Sequence, residues 1–316
     1  MAARQRREPA SAQPVPGQAA QSPPAAAPRS PAQPPRPWLA PVLAALVSLP
    51  AWLSAFGGGV YVGNGTDLFS YQLPLRDSLA QLTSHHGFAL WNPYLLGGVP
   101  TLAGLQLGML YPPNWLALYG SPVHGTEWLL WLHVGWLAAG GAVLARAWQP
   151  ALPTWAAAAL GAWLALTGQT WGHVWAGHLS LVAAWSWWPW LWAAALRFHD
   201  RRQWRFAVAA GAALALQVLA GHPQVTFLAG VGLAAVLAVR AAIAPSLAQP
   251  QGAPWLLRQL NVTAGALVLG AAVAIAALLT LPQWLATAEL APALNRTLST
   301  PLEIATAYSS PAATLS

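Results

Sequence analysis

The sequence predicts an all-α, polytopic membrane protein of about seven transmembrane helices. Three observations carry that prediction. Of 316 residues, 56% are apolar and only 7% charged. The mean hydropathy is +0.46. Long apolar stretches follow one another between short polar joints. A soluble domain carries about a quarter charged residues, so this chain has too few to cover its surface in water. The lack of cysteine excludes a disulfide framework, thiolate metal sites and cysteine nucleophiles. The net charge of +7 comes from 14 arginines against 7 acids. In a soluble protein that excess would suggest nucleic acid; here helix orientation accounts for almost every arginine, and no nucleic-acid partner is expected.

Residues 1–37 are Pro, Ala, Gln and Arg with almost no large apolar side chain, and read as a disordered cytoplasmic tail. The membrane domain, 38–316, begins at Trp38. Its apolar stretches lie at about 38–61, 126–145, 154–172, 179–196, 206–221, 224–239 and 261–281. Most approach the ~20 residues that a helix needs to cross a ~30 Å hydrocarbon core, and the fifth and sixth are short. The first could be a cleaved signal sequence, but it runs on to Val62 and Leu53-Ser54-Ala55 makes a poor cleavage site, so it reads as helix one. With the tail cytoplasmic, every arginine except Arg76 and Arg296 falls on the inner side. Asp67, Asp77, Glu127, Glu289 and Glu303 fall outside or at the outer boundary, so carboxylate chemistry is expected on the outer face of the plasma membrane.

The long outer loop, 63–125, is expected to organise against the membrane surface. Leu75, Leu79 and Leu82 recur at helical spacing after Pro74, predicting an interfacial amphipathic helix with Arg76, Asp77 and Gln81 on its other faces. A second such helix is predicted over 101–110, stopped by Pro112 and Pro113. Between them WNPYLLGGVP has turn punctuation, with Trp91 and Tyr94 suited to the headgroup layer. Residues 282–316 form a C-terminal outer segment.

Asp67 stands out first, in a glycine-rich turn just past helix one, where backbone can approach a ligand. A carboxylate that solvates the helix exit fits the same position. Asp77 is weaker, because a polar helix face carries charge in any case. From Arg205 to His222 is about 26 Å of helix, which puts the hairpin tip GHPQ at or just below the outer interface. That depth makes His222 and Gln224 candidate cavity-lining residues, with Gln217 deeper; a Pro turn whose His reaches water is the plain alternative. His173 and His178 lie at the same level but not at the spacing of a helical metal pair, and suit a phosphate or sugar hydroxyl better. The run Trp185 to Trp192 reads as belt and packing. Phosphate-loop, zinc-protease and serine-elbow motifs are absent.

The ordered set TDLFSYQLPLR (66–76), LWNPYLLGGVPTLAGLQLGMLYPPNWL (90–116), GHLSLVAAWSWWPW (177–190), LQVLAGHPQ (216–224) and AYSSPAATL (307–315) resembles the bacterial YfhO family of multi-pass membrane proteins over about residues 60–316. The Trp-Asn-Pro-Tyr to Tyr-Pro-Pro-Asn block is its most specific part. The family is grouped with membrane glycosyltransferases of the GT-C fold. The resemblance implies transfer of a sugar from a polyprenyl-phosphate donor to a cell-envelope polymer or lipid acceptor outside the membrane. It implies a catalytic acid in the first outer loop, the place Asp67 holds, acting as general base or as ligand to a divalent cation such as Mg or Mn. Arg76 is then a candidate partner for the donor phosphate. Asp77, Trp91, Asn92, Tyr94, Asn114, His178, His222 and Gln224 complete the expected substrate site. Family members usually continue with more membrane helices, so the expectation is that this chain corresponds to an N-terminal part. A transporter or flippase of a lipid-linked substrate and a non-catalytic assembly subunit are the rival readings.

Overall fold

The computed structural model describes residues 36–48, 66–95, 97–118, 121–247 and 254–293. The described residues are mainly helical. They form α1 (Leu39–Ala45), α2 (Leu73–His86), α3 (Trp115–Leu118), α4 (Pro122–Trp148), α5 (Thr154–Ala165), α6 (Gly168–Trp175), α7 (Leu179–Trp185), α8 (Trp188–Arg201), α9 (Trp204–Leu219), α10 (Pro223–Leu247) and α11 (Pro254–Leu290). Three helical segments, Pro122–Trp148, Pro223–Ile243 and Gln259–Leu290, are long and apolar enough to cross a membrane. The expected 38–61 helix is described only over its first turns, and the tail 1–35 and the segment 294–316 lie outside the described residues.

Two of the expected continuous stretches are broken. The stretch 154–172 divides into α5 and α6 because Thr167 takes an extended conformation and its side chain accepts from the Thr170 N–H, a helix N-cap. The stretch 179–196 divides into α7 and α8 because Pro189, lacking an N–H, starts a new helix in its first turn. The last two helices are longer than the expected stretches, since the residues flanking them continue the helical backbone.

The helices run alternately between two ends. At one, Arg146 of α4 donates to Thr154 of α5 at 2.8 Å. There too Arg240 pairs with Asp200 at 3.1 Å, and Arg202 donates to Asn261 at 2.9 Å. At the other, the backbone carbonyls of Leu102 and Ala103 accept from Gln283 and Thr287 of α11. The first may be termed the arginine end and the second the loop end.

Small residues bring the helices together. A Cβ on Gly161 of α5 would stand 2.2 Å from the Ala138 carbonyl oxygen, so only glycine permits that approach of α4. Ala40, Ala44, Ala138, Ala142 and Ala157 continue this seam around Trp131. A second core joins α8, α9, α10 and α11 through Leu196, Phe198, Ala207, Leu233, Leu237 and Val268. Trp136 and Trp190 stack at 4.1 Å, and the Trp192 ring N–H donates to the Ala229 carbonyl. The tryptophan-rich run is thus spent on helix packing.

The loop between α1 and α4 departs from expectation twice. Its first helix forms, preceded by a π-helical turn over Leu68–Gln72, but Arg76 is buried with Leu75 and Leu79 rather than placed on an outward face. Gln72, Leu75, Arg76, Leu79 and Thr83 share one stripe at helical spacing, and that whole stripe packs inward. The second expected helix, 101–110, is a 3-10 turn at Leu105–Leu107, followed by another at Pro112–Asn114. Gly104 and Gly108 bracket the first turn, with Gly108 left-handed, and the helix cannot propagate. The intervening WNPYLLGGVP closes a small antiparallel hairpin, β1 (Trp91–Asn92) on β2 (Val99–Pro100).

Candidate functional site

Asp67 opens the π-helical turn that leads into α2, and its side chain is 64% exposed. Two tight approaches bring other segments to it. Gly177, between α6 and α7, has φ +76°, and a Cβ there would lie 2.6 Å from the backbone N of Leu68. That approach, open only to glycine, sets the α6–α7 joint directly against the residue after Asp67. Gly221, between α9 and α10, has φ +89° and a virtual Cβ 2.1 Å from the Leu105 carbonyl oxygen. The α9–α10 joint is thereby held to the same loop.

The result is a line of polar side chains. His178 Nε2 lies 3.3 Å from Asp67 Oδ2. His178 Nδ1 lies 2.9 Å from His173 Nδ1, and His173 Nε2 lies 2.9 Å from the Gln169 amide nitrogen. Gln169 and His173 share one face of α6 at i, i+4, whereas His178 comes from the turn beyond it. His222 stands near both histidines, and burial, reinforced by their proximity, lowers its proton affinity while Gln224 opposes the shift. Burial, then His178, lowers that of His173 as well. Asp67, His178, His222 and Gln224, chosen from three separate stretches of sequence, therefore meet at one place. Gln169 joins them; its spacing from His173 is the signal that could have found it.

Deeper in the bundle lies a second polar group. Arg76 is 2% exposed, its guanidinium donates to Gln72 Oε1 at 2.9 Å, and its Nε has no partner. Among the described residues no carboxylate pairs with it. Burial lowers its pKa to about 10, with Tyr71 working the other way. Nearby, His133 of α4 engages Tyr111 at 2.7 Å and the Leu129 carbonyl, and Trp187 donates to the Tyr111 hydroxyl at 2.7 Å. His133 was legible as an ionisable group in the middle of an apolar helix. Its ring is fully committed, which makes this group a clamp between the loop, α4 and the start of α8.

The remaining candidates have other employment. Asn92 is buried, donates to Ser78 and accepts from the Tyr94 N–H, closing a turn onto α2. Asn114 donates to the carbonyls of Leu107 and Gly108. The Trp91 ring covers Gly98, Tyr94 is exposed, and Asp77 accepts from Gln81 on the outward face of α2. A divalent cation such as Mg or Mn takes oxygen ligands, but among the described residues Asp67 is the one carboxylate in this line and its neighbours are imidazoles. Among the described residues no three His, Cys, Asp or Glu side chains are grouped to hold a metal. The described residues do not fit that ion. Compared with family profiles, curated proteins and solved structures, the chain matches none.

Proposed function

We propose that this chain is a GT-C-type membrane glycosyltransferase of about seven spans, with its N-terminus cytoplasmic, that transfers a sugar from a polyprenyl-phosphate donor to a cell-envelope acceptor outside the plasma membrane. The observation that carries the reading is an exposed carboxylate, Asp67, backed by a histidine line where three joints converge. Asp67 takes the proton of the acceptor hydroxyl as that oxygen attacks the anomeric carbon, and the lipid phosphate leaves with the bonding electrons. The arginine end, rich in positive charge, faces the cytoplasm by the positive-inside rule, which puts Asp67 outside. Arg76 stands nine residues beyond Asp67, about 13 Å along a helix. Its uncommitted Nε suits an anion, which makes it the candidate partner for the donor phosphate.

One observation favours a transporter: the buried Arg76 and His133 lie among packed helices, as in ion or substrate pathways. His133, however, has both ring nitrogens engaged, so the pathway it would line is closed by its own hydrogen bonds. The test is transfer from radiolabelled polyprenyl-phospho-sugars in membranes carrying wild type or Asp67→Asn. Asparagine keeps shape and removes the base, so transfer should fall about 10²-fold or more at equal protein level. Wild-type transfer by Asp67→Asn would end the assignment and leave Asp67 a turn residue.

A further inference from the structure

The three contacts that end on Asp67 can be satisfied by neutral rings in one way only. The carboxylate accepts, so His178 Nε2 must carry the proton facing it at 3.3 Å. A neutral imidazole has a single N–H, so His178 Nδ1 is then an acceptor. The nitrogen opposite it at 2.9 Å, His173 Nδ1, must donate. His173 Nε2 is left as an acceptor, and the Gln169 amide nitrogen, 2.9 Å away, supplies the donor it needs. The two hydrogen bonds, Gln169 to His173 and His173 to His178, run in the same direction, toward the carboxylate that His178 Nε2 faces at 3.3 Å.

We propose that Gln169, His173 and His178 are positioning residues that act through this directed chain to hold Asp67 with Oδ2 occupied and Oδ1 free for the acceptor hydroxyl. The inference rests on the reading of Asp67 as a general base and adds to it the residues that orient the base. Without the chain, a carboxylate that is 64% exposed rotates freely at the end of a helix and spends much of its time out of line with the attacking oxygen. With it, the choice of tautomer at His178 is imposed from a second ring, as the partner of a metal-bound or catalytic imidazole imposes it elsewhere. Neutral His173 has the Nδ1–H tautomer here, whereas the free imidazole favours the Nε2–H form. This is the distinctive structural consequence of the chain. His222, which comes from the α9–α10 joint rather than from the chain itself, is a further titratable group near the pair.

The experiment uses the full chain, labelled with ¹⁵N-histidine, in lipid nanodiscs at a pH where the rings are neutral, with long-range ¹H–¹⁵N correlation reading which ring nitrogen holds the proton. The expected result is Nε2–H for His178 and Nδ1–H for His173, each assigned by loss of its signals in His178→Gln and His173→Asn. Asp67→Ala should release both from that pattern. An Nε2–H His173 in the wild type, or signals unmoved by Asp67→Ala, would overturn the proposal. Kinetics supply a second readout. His173→Phe should lower kcat about 10- to 100-fold with KM little changed, and His173→Asn, whose amide N–H replaces Nδ1–H, should recover most of it. Equal loss in both would overturn the directed chain. The tautomers are read without any substrate. If they are as assigned while Asp67→Asn transfers normally, the chain stands and the base fails; if they differ while Asp67→Asn is inactive, the base stands and the chain fails.

Discussion

Each histidine at the loop end is shaped by what its neighbours exclude. Burial first, and adjacent rings second, lower the proton affinity of His222 and His173 in the folded state below the ordinary value near 6.5. Above that value both folded and unfolded chains hold these rings neutral, and pH has no effect through them. Below it the unfolded chain binds protons that the folded chain refuses, so stability falls as pH drops from about 6.5 toward each folded pKa, and levels beneath it. Thermal unfolding in detergent should therefore show a lower Tm at pH 5 than at pH 7.5, with a smaller difference in His222→Gln; an identical difference would assign the effect to other groups. Gly177 makes a sharper case. Alanine there meets both a left-handed φ of +76° and the Leu68 backbone. Gly177→Ala should cost about 2 kcal/mol or more, read as a drop in Tm, together with reduced transfer because the α6–α7 joint no longer seats beside Asp67. A variant with wild-type Tm would mean the joint is held by other contacts.

At the scale of the element, α2 shows why an amphipathic pattern identifies a helix without identifying everything on its buried face. Leucines at 75, 79 and 82 place the helix, but the stripe they define also carries Gln72 and Arg76 inward. A buried guanidinium without a carboxylate costs desolvation that one amide does not repay, and replacing such a charge by an apolar side chain of similar volume is often neutral or stabilising. Arg76→Met should accordingly keep or raise Tm while lowering transfer about tenfold or more, through the loss of an anion partner. A parallel fall in Tm and transfer would make Arg76 a packing residue. The α4–α5 seam behaves oppositely, because its closeness depends on the lack of any side chain at Gly161. Gly161→Val should reduce the yield of folded protein, measured by size-exclusion in detergent, with no special effect on chemistry.

For the whole molecule, the alternation of helices between an arginine end and a loop end makes sidedness a single choice that all joints share. Reporters fused after Arg146, Arg202 or Arg258 should read cytoplasmic, and those after Gly120, His222 or Leu298 should read outside. Swapped labels at two of these positions would break the proposed seven-span topology. Division of two expected stretches into α5 with α6, and α7 with α8, leaves that alternation intact, since each broken pair still leads from one end to the other. The breaks do matter locally. By ending α6 at Trp175 and starting α7 at Leu179, the chain gains the turn that carries Gly177 and His178 to Asp67.

Helical class, apolar stretches and the candidacy of Asp67, His178, His222 and Gln224 were legible because each follows from composition or from position along one segment. Charge-poor apolar runs have few alternatives to membrane helices, and polar residues near the ends of such runs need a reason. The Thr167 cap and the Pro189 start were also written locally, though they are easily lost inside a continuous apolar stretch. The inward turn of Arg76, the commitment of Asn92 to Ser78 and of Asn114 to backbone carbonyls, the clamp of Tyr111, His133 and Trp187, and the meeting of Gln169, His173 and His178 with Asp67 were decided by tertiary structure alone. The physical reason is that side chains more than a hundred residues apart, such as Asp67 and His178, are brought together by glycine-permitted backbone approaches, and no periodicity within either segment encodes which segment will be opposite.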